Sequence, residues 1–158
     1  MLADSGNRTD FGSGALRDMA EGKGRTDLLP WSTVAVIFEH SYSDEVIQFA
    51  KLLDEVSRDN SKLASLHQMI HVFCKMQDWD LPTFCLESAK QYEAGVEKYG
   101  PRNWEKGMPV HIFIDSCGRH FLKLLRGDND EPHDRAVAWN LLGALWTISN
   151  KPEWIDKE

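Results

Sequence analysis

The stretch from Val137 to Ile148 carries apolar side chains on nearly every face of the helix that its spacing predicts. A helix of this kind is buried on all sides, because its whole circumference needs cover from other parts of the chain. One narrow stripe of this helix carries small or polar residues instead: His133, Ala136, Asn140, Gly143, Ala144 and Thr147. The sequence therefore predicts a central helix around which the remaining segments pack.

Five other segments show the spacing of apolar residues that is typical of amphipathic helices. They begin near Trp31, Ser43, Asn60, Thr83 and Val110, and the last two reach about Tyr99 and Arg126. Ser32 is the predicted N-cap of the first, which runs to about His40. The chain shows neither a convincing period-two run nor an internal repeat. We therefore predict an all-α fold: a compact, bundle-like domain of about five to six helices with an irregular N-terminal arm.

The composition is that of a soluble globular protein, since 42% of the 158 residues are hydrophobic and 27% are charged. We expect residues 31–150 to form one helical domain, residues 1–30 an arm that can contact a ligand, and residues 151–158 a tail. The formal net charge of −7 argues against a protein that coats duplex nucleic acid, because phosphate contacts need a basic face. A small nucleotide in a local basic pocket remains compatible with this charge.

Membrane and redox signals are both weak in this sequence. No apolar run reaches the length of a membrane span, and no secretion-type hydrophobic segment opens the chain. The three cysteines, Cys74, Cys85 and Cys117, are odd in number and lack CxxC spacing, which indicates neither a disulfide framework nor structural zinc. We expect reduced thiols, a cytoplasmic location and no membrane partner.

The segment between the fourth and fifth predicted helices, Lys98–Pro109, is unusually rich in Gly, Pro, aromatic and cationic residues. Aromatic faces stack on bases, and Arg and Lys bind phosphates. The candidate nucleotide-binding residues here are Lys98, Tyr99, Arg102, Asn103, Trp104 and Lys106. The alternative is a turn ended by Pro and Gly whose Trp104 fills the core.

The arm contains a second candidate phosphate site at Gly22–Asp27. Its glycines allow close backbone approach, and Lys23 and Arg25 supply cations. Composition alone favours a flexible arm over a phosphate site.

The fifth and sixth helices offer further polar candidates. Arg119 and His120 lie at the edge of an apolar stripe, where they could form the lip of a pocket, and Asp115 is the i,i+4 neighbour of Arg119. The alternative is a surface ion pair beside a boundary histidine. Asn140 is predicted to be a buried amide, which either lines a pocket with His133 at its mouth or bonds across closely packed helices.

Three groups have spacings compatible with metal binding. Glu93 and Glu97 are i,i+4 neighbours, so both carboxylates can reach one ion, although a solvated helix face is the commoner explanation. Asp128 belongs to an acidic cluster before the sixth helix, which solvated turns also explain. The third group, His67, His71 and Cys74, has zinc-like spacing, but ordinary helix packing explains it better.

Four segments together resemble a phage-associated family of dATP/dGTP diphosphohydrolase N-terminal-type domains. They are Asp10–Asp18, Gly22–Pro30, Gly95–Gly107, and a last group made of Arg119-His120, Gly127-Asp128 and His133 to Trp139-Asn140. Their order and spacing match the family pattern. The resemblance implies a viral nucleotide-metabolism protein located in the host cytoplasm.

Proteins of this kind are similar to MazG-like all-α pyrophosphohydrolases, which cleave a (d)NTP to (d)NMP and pyrophosphate with Mg²⁺. The resemblance implies that Glu93 and Glu97 are catalytic and hold the metal, and Asp128 of the acidic cluster is a further candidate ligand. It also implies that phosphates are bound by Lys23, Arg25, Arg102 and Arg119. Trp104 or Tyr99 would stack on the base, while a catalytic His120, with His133 and Asn140, would line the site. A homo-oligomer is also implied.

The metal motif departs from the MazG-like pattern of an ExxE pair followed by an ExxD pair. Glu93 and Glu97 are spaced ExxxE, and no ExxD pair lies within the fifth or sixth predicted helix. The alternative function is therefore a nucleotide-binding protein without catalysis, such as a viral sponge for a nucleotide immune signal.

Overall fold

Helix α6 (His133–Asn150) lies at the centre of the structure, a computed structural model that describes residues 6–156. It contacts α5 (Val110–Arg126), α4 (Leu81–Tyr99) and α3 (Leu63–Gln77). Nine of its residues are buried. The prediction of a central helix is therefore confirmed.

The remaining elements surround this centre. Helix α1 (Trp31–Phe38) packs against α2 (Asp44–Arg58), which in turn packs against α3 and α5. Within residues 6–156 the arm contains an antiparallel pair of short strands, β1 (Arg8–Asp10) and β2 (Leu16–Asp18). Short 3-10 turns lie at Thr26–Leu28, Asn103–Lys106 and Pro152–Trp154. The all-α class with an N-terminal arm is confirmed, the strand pair was not predicted, and the division at residues 30 and 150 stays a prediction.

Side-chain caps determine where two of the helices begin. The Ser43 hydroxyl accepts a hydrogen bond from the Val46 N–H at 3.3 Å, as the sequence predicts for α2. The Asp80 carboxylate accepts one from the Thr83 N–H at 2.7 Å. Helix α4 therefore begins at Leu81, before the predicted Thr83.

Two other helix starts differ slightly from prediction. Helix α1 begins at Trp31 after Pro30, so the predicted cap Ser32 lies inside its first turn. Helix α3 begins at Leu63, a few residues after the predicted start at Asn60. Within residues 6–156, no helix combines the length and apolar character that spanning a lipid bilayer requires.

Two sets of hydrogen bonds hold the arm against the helices. The Asn103 amide donates to the Leu16 carbonyl and accepts from the Leu16 N–H, both at 2.8 Å, much as a neighbouring strand would. The Thr26 N–H donates to Asp115 Oδ1 at 2.7 Å, and Trp31 Nε1 donates to the Thr26 carbonyl at 2.8 Å. The arm is thus attached both to the α4–α5 connection and to α5 itself.

Close contact between α5 and α6 depends on a glycine. A Cβ at Gly143 would overlap the side chain of Phe113, which is fully buried. Gly95 in α4 is the opposite case, because nothing within 4 Å would meet its Cβ. Gly143 and Gly95 therefore have different structural reasons to be present.

These glycines give a matched test of the packing. We expect Gly143→Ala to lower the free energy of unfolding by about 1–3 kcal/mol, because the added methyl overpacks the core. Gly95→Ala should raise it by about 0.5–1 kcal/mol through helix propensity. Urea denaturation of both variants measures the difference, and equal effects of the same sign would contradict this account of the α5–α6 contact.

Candidate functional site

A cavity of about 410 Å³ lies between the arm, α4, α5 and the beginning of α6, and we call it the cationic cavity. Its cationic side chains are Arg17, Lys23, Lys98, Arg119 and Lys123. Its carboxylates are Asp18, Asp115, Asp130 and Glu131. Two of these carboxylates pair with wall cations, whereas the other two lie at the beginning of α6.

Arg17 extends from β2 across the helices and forms one wall of the cationic cavity. Its guanidinium donates to Asn140 Oδ1 and Ser116 Oγ, both at 3.1 Å, and lies 4.6 Å from the centre of the Trp139 ring. Burial lowers the pKa of Arg17 to about 10, so the group is still charged at neutral pH. The cavity therefore has a cation held in place by three fixed partners.

Asp18, the next residue, positions a second group of wall residues. Its carboxylate lies 2.8 Å from Arg8 Nη1 and 3.3 Å from Lys98 Nζ, and its N–H donates to the Tyr99 hydroxyl at 3.1 Å. Burial raises the pKa of Tyr99, which therefore stays a neutral phenol. The predicted ligand residues Lys98 and Tyr99 are thus at the cavity.

Asp115 and Arg119 form a buried counterpart on α5. Arg119 Nη1 lies 3.1 Å from Asp115 Oδ2 and donates to the Gly24 carbonyl at 2.7 Å. Asp115 is only 1% exposed, so this pair is not the surface ion pair of the alternative interpretation. Arg119 therefore connects the arm to α5 while facing the cavity.

The other two cations, Lys23 and Lys123, differ from these. Both line the cavity, and within residues 6–156 neither forms an ion pair with a carboxylate. Their ammonium groups therefore contribute charge to the cavity that no described carboxylate pairs with.

Two histidines meet at the other side of the cavity. Nδ1 of His120, on α5, lies 2.8 Å from Nδ1 of His133, at the beginning of α6. His133 Nε2 lies 2.7 Å from Asp130 Oδ1, and this hydrogen bond lowers the pKa of the Asp130 carboxyl. Glu131 Oε1 lies 3.7 Å from His120 Nδ1. We call these four residues the histidine cluster.

The protonation of the histidine cluster follows from its acceptors. A carboxylate only accepts, so His133 Nε2 carries the proton and His133 Nδ1 has a lone pair. In the absence of another partner, His120 Nδ1 then donates to it. Burial lowers the pKa of His120 to about 3, so His120 is neutral at physiological pH.

A second cavity of about 300 Å³ adjoins the first and has a mainly apolar lining. Gly95, Tyr99 and Trp139 line both cavities. We call the second one the aromatic cavity because Tyr92, Tyr99, Trp104 and Trp139 line it.

The structure brings part of the predicted site together in the cationic cavity. Lys23, Lys98, Tyr99, Arg119 and His120 line it. Predicted residues His133 and Asn140 lie directly behind that wall, through His120 and Arg17 respectively. Their assignment to nucleotide binding stays a prediction.

The predicted loop residues lie mostly around the aromatic cavity. Trp104 packs against Tyr92, with ring centres 5.5 Å apart, and against Trp146 at 5.0 Å. Arg102 lines this cavity and pairs with Glu105 at 2.7 Å. Trp104 thus takes part in aromatic packing as well as in the cavity wall.

Three other predicted ligand residues have different surroundings. Asn103 also lines the aromatic cavity, but it is buried and its amide is hydrogen-bonded to the arm. Lys106 is exposed, and its alkyl chain lies near Gly14. Arg25 pairs with Asp27 at 2.7 Å and does not line the cationic cavity.

The predicted Mg²⁺ carboxylates lie apart from the histidine cluster. Glu93 and Glu97 are exposed on α4, and only Glu93 reaches either of these two cavities, the aromatic one. Among residues 6–156, neither belongs to a group of three convergent metal-type donors. Asp128 does belong to one, with Asp130 and His133, but it pairs with Arg126 at 2.7 Å.

Sequence reasoning missed Arg17, Glu131 and Asp130 as site residues. Nothing near Arg17 marks it, because its partners lie 99 and 123 residues further along the chain. A signal for Glu131 does exist, since Glu131 and Asp134 have ExxD spacing across the beginning of α6.

The fold and its site define an all-α protein with a cationic cavity bordered by histidines. The model of the family described as dATP/dGTP diphosphohydrolase, N-terminal, matches residues 56–158, and the chain belongs to this family. The matched range includes the Gly95–Gly107 motif and the His120 and His133 segments, whereas the two arm motifs precede it. No curated protein and no solved structure matches the chain.

The role of Asn103 can be tested directly. We expect Asn103→Ala to increase hydrogen exchange of the Leu16 amide by about tenfold or more, because two hydrogen bonds of about 1 kcal/mol each are lost. Hydrogen-exchange mass spectrometry of the arm peptide measures this. Asn150→Ala, at an exposed helix end, is the control, and equal exchange in both variants would show that Asn103 does not hold the arm.

Proposed function

We propose that the protein binds a purine deoxynucleoside triphosphate and hydrolyses it to the monophosphate and pyrophosphate. The observation that carries this proposal is the cationic cavity, which gathers five basic side chains in a chain with a net charge of −7. Four carboxylates also line the cavity, but two of them pair with Lys98 and Arg119, which leaves Lys23 and Lys123 available to bind the phosphates of a nucleotide. The family description supports dATP and dGTP as the substrate class.

The two adjoining cavities suggest how the nucleotide is oriented. The phosphates would lie in the cationic cavity near Lys23 and Lys123, and the base would enter the aromatic cavity. Gly95 lies in the wall that both cavities share, where a larger side chain would narrow the passage. Trp139 and Tyr99 border both cavities and offer ring faces to the base or sugar.

His120 is better suited to act as a neutral ligand than as a general base. A general base works best with a pKa near the working pH, whereas burial lowers the pKa of His120 to about 3. We therefore propose that His120 contributes a lone pair to the site, and that the cations offset the charge of the phosphates.

A non-catalytic nucleotide-binding protein is the second candidate. It is favoured by the positions of Glu93 and Glu97, which are exposed and outside the cationic cavity. If these carboxylates hold no Mg²⁺, the cavity could bind a nucleotide without cleaving it, as a sponge for a nucleotide signal would.

The implied homo-oligomer, the phage origin and the host cytoplasm are retained as parts of this proposal. Leu28, Val36 and Ile37 are 71%, 59% and 68% exposed, and a second copy of the chain could cover them. Exposed apolar side chains are one feature of subunit interfaces.

Nucleotide binding predicts a specific charge dependence. We expect Lys123→Ala and Lys23→Ala each to raise the Kd for dGTP about tenfold, since each removes a charged contact of about 1.4 kcal/mol. Isothermal titration calorimetry measures the Kd. Lys51→Ala removes the same charge from an exposed position on α2 and should leave the Kd unchanged. An equal rise in Kd for Lys51→Ala would contradict the assignment of nucleotide binding to the cationic cavity.

Hydrolysis is tested by the fate of the nucleotide. The purified protein is incubated with dATP, dGTP, ATP and cyclic nucleotides in the presence of Mg²⁺, and the ligands are then analysed by chromatography. We expect dAMP or dGMP together with pyrophosphate. Intact nucleotide recovered only after heat denaturation would instead establish the non-catalytic alternative, and Lys123→Ala then serves as the control that links retention to the cavity.

A further inference from the structure

We propose that the histidine cluster binds a divalent transition-metal ion through Nδ1 of His120, Nδ1 of His133 and the carboxylate of Glu131. This site deepens the proposed function, because His120 and Glu131 also line the cationic cavity. Its geometry rests on these side chains alone and requires no nucleotide.

The three donor atoms converge as ligands of one ion do. They all lie within 4.8 Å of one another, and the two Nδ1 atoms are 2.8 Å apart. Two nitrogens that each lie about 2.1 Å from one ion are separated by about 3.0 to 3.4 Å at right-angled to tetrahedral geometry. The observed 2.8 Å is a hydrogen-bond distance, so the two rings must separate by a few tenths of an ångström to admit the ion. Glu131 Oε1, 3.7 Å from His120 Nδ1, completes the group with a small side-chain movement.

The orientation of His133 supports a ligand role. Its side chain is 1% exposed, and its Nε2–H donates to Asp130 Oδ1 at 2.7 Å. Metal-binding histidines commonly donate their second ring N–H to a carboxylate, which fixes the tautomer and directs the other nitrogen at the ion. His133 Nδ1 therefore presents a lone pair toward His120 Nδ1, whose own proton moves to Nε2 when a metal ion takes its place.

The donor atoms and the charges around them bear on whether the cluster can hold a cation. Imidazole binds a metal through a lone pair, and the two Nδ1 atoms face one another at 2.8 Å. Arg17, Arg119 and Lys123 place positive charge near His120, whereas the Asp130 carboxylate contacts His133 and that of Glu131 lies 3.7 Å from His120. The negative charge of Glu131 would offset half of the charge of the ion.

The donor set selects among ions. Two imidazoles with one carboxylate suit Zn²⁺, Co²⁺ or Ni²⁺, whereas Mg²⁺ prefers oxygen ligands. The other convergent group, Asp128 with Asp130 and His133, is less suitable. Its Asp128 is paired with Arg126, and its Asp130 accepts from His133.

The test uses the full chain without nucleotide, after a chelator has removed bound metal. It is titrated with Zn²⁺, followed by calorimetry, and with Co²⁺, followed by visible absorption. We expect one ion per chain and a cobalt d–d band. Glu131→Gln and His120→Gln should each weaken binding at least tenfold. His67→Gln, at an exposed histidine on α3, should leave it unchanged. Circular dichroism of each variant verifies the fold.

Two results would overturn the proposal. One is a wild-type protein that binds neither ion at 100 μM metal, on the order of the weakest affinity expected for a three-ligand site. The other is an equal loss in His67→Gln, which would place the metal on the surface of α3. Because no nucleotide is present, either result is distinct from a failure of nucleotide binding.

Discussion

The guanidinium of Arg17 joins the arm to the helices, and the cavity depends on it. Asn140 and Ser116 lie on neighbouring helices, and both use Arg17 as a hydrogen-bond donor. Removing a cation from water is costly unless hydrogen bonds and aromatic faces replace the water, and Trp139 supplies the face. Without Arg17 the arm would keep its hydrogen bonds to Asn103 and Asp115, but the cationic cavity would lose the wall that the guanidinium forms.

The helices were predictable because their signals are local, whereas the attachment of the arm was not. Apolar spacing, caps and glycine stops lie within each helix, so only the starts of α1, α3 and α4 differ by a few residues. Asn103 shows the limit of this reasoning. A side-chain amide can hydrogen-bond to a base or to the protein backbone equally well. Only the tertiary structure shows that Asn103 pairs with the backbone of Leu16, 87 residues away along the chain.

The histidine cluster could be predicted from the sequence only in part. His120 and His133 were separately predicted near a pocket, one at the edge of a stripe and the other at the beginning of a helix. Their meeting depends on how closely α5 and α6 approach, which Gly143 permits by leaving room for Phe113. The helix-to-helix distance, and not the spacing along either helix, thus decides whether two ordinary boundary histidines become a pair.

The groups that line the cavity bear on the kind of ligand. Lys23 and Lys123 contribute positive charge that no described carboxylate pairs with, and Lys123 lies close enough to the histidine cluster to act on His120. A single phosphate reaches few of these groups at once. A polyphosphate could contact both ammonium groups and an ion held by the histidine cluster. The arrangement therefore favours a nucleoside di- or triphosphate over a monophosphate, as the proposed hydrolysis to the monophosphate requires.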